Sequence, residues 1–66
     1  MINELTPRER DVVRELCISG NNEAIGRALN IAVPTVKRHL STIMEKAGVY
    51  NRVLIALWAV RNGYDA

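Results

Sequence analysis

With 66 residues, 48% of them apolar and 24% charged, the chain holds one core of ordinary globular composition and has no room for a second. One cysteine excludes an internal disulfide, and with a single histidine it also excludes the four-ligand Cys/His zinc sites. The net charge of +2 is unevenly spread: residues 1–26 carry three arginines against five acids, whereas residues 27–52 carry Arg27, Lys37, Arg38, Lys46 and Arg52 against Glu45 alone.

Proline stands only at 7 and 34, and no alternating apolar run bounded by hairpin turns occurs, so an all-α fold is expected. Thr6-Pro7-Arg8-Glu9 reads as a capping box with proline in the first helical position. A helix is expected from about Pro7 to Ser19, with Val12, Val13, Leu16 and Cys17 on one face and Gly20 as its stop. Asn21 and Asn22 are candidate caps of a short second helix running to about Leu29, with Ile25 and Leu29 inward. Gly26 lies in its interior, where glycine is unfavourable relative to alanine, and suggests close approach of another helix. Asn30 tolerates the left-handed conformation that would end this helix in a sharp turn.

A third helix is expected over residues 33–46 or so. Pro34 sits in its first turn, Val36, Leu40, Ile43 and Ala47 form the buried stripe, and Gly48 is its stop. Its other face, Arg38, Ser41, Thr42 and Glu45 flanked by Thr35, Lys37 and His39, is polar and nearly free of acid. Asn51 is placed to cap a fourth helix lasting until Gly63. Two short helices joined by a tight turn, the second with a basic outer face, make a helix-turn-helix, the unit that lays its second helix in the DNA major groove. A small bundle whose basic face is only solvated gives a similar pattern.

The residues that separate these readings form an ordered set: Leu5-Thr6-Pro7-Arg8-Glu9 with Val12, Asn22 with Ile25, Leu29 and Ile31, Thr35-Val36-Lys37-Arg38-His39, and Gly48-Val49 with Asn51-Arg52. In this set the chain resembles the LuxR-type (GerE-like) helix-turn-helix domains of NarL/FixJ response regulators and quorum-sensing regulators, over residues 5 to about 61. The resemblance implies one domain spanning residues 1–66, a compact four-helix fold with a C-terminal dimerisation helix at about 51–62, and sequence-specific binding of double-stranded DNA as a transcription regulator. It also allows for an N-terminal receiver or ligand-binding domain in a longer chain. Region four of bacterial sigma factors is the nearest competitor and lacks the Gly-Val-x-Asn-Arg junction with the apolar helix behind it. A protein-interaction module without DNA binding is the alternative from another class. The chain departs from the pattern at Ala24 and Leu54, where the family has acids, at Ala32, where it commonly has a capping serine, and at Gly20, one place late.

With Val36, Leu40 and Ile43 inward, Lys37, Arg38 and Ser41 project from the first turns of the third helix and are the expected base contacts, Arg38 being suited to guanine O6 and N7. Pairing of Arg38 with Glu45 is the alternative. Thr35, His39, Asn51 and Arg52 are expected against phosphates, partly because a helix N-terminus favours anions and partly because the family matches there. The resemblance turns Ile55, Ala56 and Ala59 inward, which leaves Val53, Leu54, Leu57, Trp58 and Arg61 as the homodimer patch. Cys17 and His39 are the only nucleophile and base of their kind, and Cys17 lies on a core stripe, so no enzyme, cofactor or metal is expected. The aromatics Trp58, Tyr50 and Tyr64 are too scattered to stack single-stranded bases. The apolar run Val53 to Val60 is far short of the ~20 residues that cross a bilayer. Met1 to Arg10 lacks the apolar segment of a signal peptide, and the expected location is the cytoplasm.

Overall fold

The computed structural model describes residues 5–64, which form helices α1 (Pro7–Ser19), α2 (Asn22–Leu29), α3 (Val33–Ala47) and α4 (Arg52–Arg61). The all-α fold expected from the sequence is the fold observed. At α1 the capping box is complete. The Thr6 hydroxyl accepts from the Glu9 amide at 3.1 Å, and the Glu9 carboxylate accepts from the Thr6 amide at 2.8 Å. Gly20 then turns left-handed at φ 69° and ends the helix. Asn21, not Asn22, caps α2: its carboxamide oxygen accepts from the Glu23 and Ala24 amides at 2.8 and 3.1 Å, so Asn22 becomes the first helical residue. Asn30 ends α2 at φ 59°. Asn51 caps α4 by accepting from the Leu54 amide at 3.0 Å. α4 stops at Arg61, short of the expected Gly63, because the Asn62 amide closes the last turn and Gly63, at φ 77°, lets the Tyr64 amide reach back to the Ala59 carbonyl at 2.8 Å.

The core is built from Leu5, from Val12, Val13 and Leu16 of α1, and from Ile25 of α2. Val36, Leu40 and Ile43 of α3 and Ile55 and Ala59 of α4 complete it. Cys17 packs against its edge. α1 and α3 pack on each other, and α2 and α4 each pack on both of them but not on one another. Gly26 is buried, and the closest approach to it comes from the turn: a methyl group there would lie 2.6 Å from the Ile31 carbonyl oxygen, with the Val36 side chain of α3 farther off at 3.7 Å. The Ile31 amide in turn donates to the Gly26 carbonyl at 2.9 Å, so the turn folds directly back onto α2. At the far end of the chain, the Tyr64 ring stacks on Trp58 with centroids 5.1 Å apart, and the Arg10 guanidinium lies 5.4 Å from the Tyr64 ring centroid.

Among the described residues the buried charged group is Glu9, 5% exposed, and its carboxylate accepts a 2.7 Å hydrogen bond from the Lys46 ammonium in the last turn of α3. Burial alone would push the Glu9 carboxyl up. The Lys46 hydrogen bond, the Thr6 backbone and hydroxyl groups and the Lys46 charge outweigh it and hold the carboxyl below its ordinary value of 4.5. A carboxyl lowered in the folded state stabilises the fold at pH above its unfolded value and loses that contribution as the pH falls through its folded value. The unfolding free energy is therefore expected to decline below pH 4.5. Glu9→Gln, which keeps a capping side chain, should flatten that decline in urea titrations run across the acid range. Lys46→Met leaves the carboxylate buried with its cation gone and is expected to cost about 3 kcal/mol in the same measurement at pH 7. An unchanged acid slope in Glu9→Gln would assign the dependence to another group.

Candidate nucleic-acid interface

Every element needed to hold one helix outward is already in the fold. Val36, Leu40 and Ile43 anchor α3 in the core, and at about 100° per residue the opposite side of the helix runs along Pro34, Arg38, Ser41 and Glu45. All four are exposed. Lys37, also exposed, lies on one flank of this line; Thr35, Thr42 and His39, each half-buried, lie on the other. Arg38 makes no ion pair with any acid among the described residues, so the pairing with Glu45 is not formed. Its carbonyl accepts from the Thr42 hydroxyl at 3.2 Å, a bond internal to the helix that leaves the guanidinium exposed.

On the Lys37 flank, a cleft is lined by Lys37, Leu40, Ser41 and Met44 of α3, by Tyr50, Asn51 and Arg52 at the start of α4, and by Asn22 at the start of α2. The cleft brings together two of the expected base contacts, Lys37 and Ser41, with two of the expected phosphate contacts, Asn51 and Arg52. Thr35 and His39 do not line it; their positions put them on the far side of the Arg38 line. Asn22, expected as a possible cap and counted among the residues of the family resemblance but given no site role, is released from capping by Asn21 and enters the cleft. Lys46, counted in the basic stretch of the sequence, is held by Glu9, and so the basic groups of α3 itself that remain outward are Lys37 and Arg38.

Along α4, Ile55 and Ala59 are buried as expected, and Ala56 is half-buried beside Leu16, Gly20, Arg52 and Val53. Val53, Leu57 and Val60 are 73%, 46% and 57% exposed and follow one another at helical spacing, so they form a single apolar stripe. Leu54 is half-buried beside that stripe and Arg61 is exposed at its end. Trp58, expected in the outer patch, is half-buried and packs against the core and on Tyr64. Val60 was missing from the expected patch, although its i+7 spacing from Val53 is visible in the sequence.

Residues 3–59 match the model of a family described as bacterial regulatory proteins, luxR family. The chain is similar to the nitrate/nitrite response regulator protein NarL of Escherichia coli strain K12, 39% identical over 57 residues, which are 86% of this chain and 26% of NarL. It is similar to the transcriptional regulatory protein LnrK of Bacillus subtilis strain 168, 42% identical over 60 residues, 91% of this chain and 27% of LnrK. The CsgBAC operon transcriptional regulatory protein of Escherichia coli strain K12 is 40% identical over 58 residues, 88% of this chain and 27% of that protein. The chain thus spans about a quarter of the length of these relatives. It belongs to the luxR family, and the matched stretch includes the Gly48–Arg52 junction and most of α4.

At the start of α3, Ala32 is extended (φ −74°, ψ 153°) and offers no side-chain cap to the first amides. Ala32→Ser supplies one in a backbone conformation that suits it, and is expected to raise the unfolding free energy by about 0.5–1 kcal/mol. A thermal or urea unfolding curve checks this directly, and an unchanged midpoint would show that Pro34 already compensates for the missing cap.

Proposed function

We propose that this luxR-family domain binds double-stranded DNA sequence-specifically and acts as the DNA-reading part of a transcription regulator, with α3 in the major groove. The observation that carries the reading is the order of groups across α3. An exposed strip bearing Lys37, Arg38 and Ser41 is bracketed by Thr35 and His39 on one side and by Asn51 and Arg52 on the other. A major groove has base edges on its floor and a phosphate chain on each wall, which is the same order. Lys37, Arg38 and Ser41 are assigned to bases, and Thr35, His39, Asn51 and Arg52 to phosphates.

Homodimer formation belongs to the same reading. The stripe Val53, Leu57 and Val60, with Leu54 and Arg61 at its border, is an apolar face that a two-fold copy of α4 would cover. Trp58 contributes through its exposed part only. The share of each relative that is matched, and the name of NarL as a response regulator, support an output domain that follows a receiver or ligand-binding domain in a longer cytoplasmic regulator. No cofactor takes part in this reading. Among the described residues no helix is long and apolar enough to cross a membrane.

Counterion release makes duplex affinity fall with salt by a power of roughly 0.9 per neutralised phosphate, whereas an apolar protein interface responds little. Duplex binding that steepens at low salt is the expected result of an anisotropy titration, and absence of binding at low ionic strength would sink the reading. Arg38→Ala is expected to relax preference at one base pair per half-site, a loss of about 1–3 kcal/mol in discrimination, in a selection from random duplexes. Arg52→Ala should weaken all sequences alike and reduce the salt slope by about one phosphate's share. Leu57→Glu should abolish dimers on DNA in sedimentation while leaving the circular dichroism unchanged; loss of helicity would instead place Leu57 in the core.

A further inference from the structure

Two buried side-chain atoms among the described residues have no hydrogen-bond partner: Asn22 Oδ1, at the first residue of α2, and Arg52 Nη2, at the first residue of α4. Buried polar groups are nearly always paired, so two unpaired ones on residues that line one cleft call for a physical reason. The pair is complementary in kind, since a carboxamide oxygen accepts and a guanidinium nitrogen donates. Both residues line the cleft that also holds Lys37, Ser41 and Asn51. Neither is engaged by its own helix: Asn21 supplies the cap of α2 and Asn51 the cap of α4. Arg52 also makes no ion pair among the described residues. α2 and α4 pack nowhere on each other, which leaves this cleft as the place where their first residues face common ground.

We propose that Asn22 is a positioning residue for Arg52. Its carboxamide holds the Nη2 edge of the guanidinium through one ordered water, which donates to Oδ1 and accepts from Nη2, and the remaining edge is thereby presented to a phosphodiester oxygen. An unpaired acceptor and an unpaired donor on residues of one cleft are the setting in which a bridging water is stable. An arginine restrained before binding loses less freedom on meeting its phosphate, and a guanidinium offers two edges, so one is held while the other binds. Asn22 touches no DNA in this arrangement and acts only through Arg52. The inference rests on the DNA reading above.

The test is a double-mutant cycle in the intact chain. Anisotropy with a duplex carrying its selected site, at several salt concentrations, is measured for the wild type, Asn22→Ala, Arg52→Ala and the pair. Asn22→Ala is expected to weaken binding about fivefold on selected and random duplexes alike, and to have no further effect once Arg52 is alanine. An equal loss from Asn22→Ala in both backgrounds overturns the proposal. Asn22→Asp brings a carboxylate to the guanidinium in competition with the phosphate; it should bind more weakly than Asn22→Ala, and tighter binding counts against the proposal. A readout without DNA separates the two readings. Nitrogen-15 exchange spectra of the free protein should show slow rotation of the Arg52 guanidinium in the wild type and faster rotation in Asn22→Ala and Asn22→Ser. Equal rotation rates overturn the positioning role even where DNA binds, whereas slowed rotation with no duplex binding overturns the DNA reading alone.

Discussion

A single carboxylate joins the two ends of the fold that matter most. Glu9 closes the first turn of α1 through Thr6 and takes the Lys46 ammonium from the last turn of α3. The charges also suit the helix dipoles, an acid at an N-terminus and a base at a C-terminus. With its far end tied to α1 and its apolar stripe anchored by Val36, Leu40 and Ile43, α3 has no freedom to roll, and the outward direction of Arg38 and Ser41 follows. A chain this short buries only about 60% of its unfolded surface, so leaving one member of that buried pair without its partner would cost a large part of its stability.

The helices were legible because their signals are local. Thr6 with Glu9, Gly20, Asn30, Gly48 and Asn51 each act within four residues of where they stand, and the structure uses each as the sequence suggested. What was not legible depends on distance along the chain. Lys46 reads as part of a basic stretch until α1 is packed against α3, because its partner lies 37 residues away. Gly26 called for a close neighbour, but nothing in a helical pattern says that the neighbour is the carbonyl of its own turn. Trp58 looked like surface on a helix apolar all round; its inward lean depends on Tyr64, which lies beyond the end of α4.

The same contrast holds for the interface. The line of α3 that faces outward could be read from spacing, since periodicity decides it once the core face is known. The cleft could not, because it is assembled from the starts of α2 and α4 and the middle of α3, three stretches that no local pattern connects. The presence of Asn22 in it results from a division of labour between adjacent asparagines. Asn21 satisfies the amides of α2, and Asn22 is thereby available to face elsewhere.

The Arg10–Tyr64–Trp58 stack has a mechanical consequence. It brings the end of the described chain back beside the first turns of α1. The ring of Tyr64, between the Arg10 guanidinium and Trp58, thereby clamps the last turn of α4 to α1. That clamp engages neither the turn between α2 and α3 nor the outward face of α3.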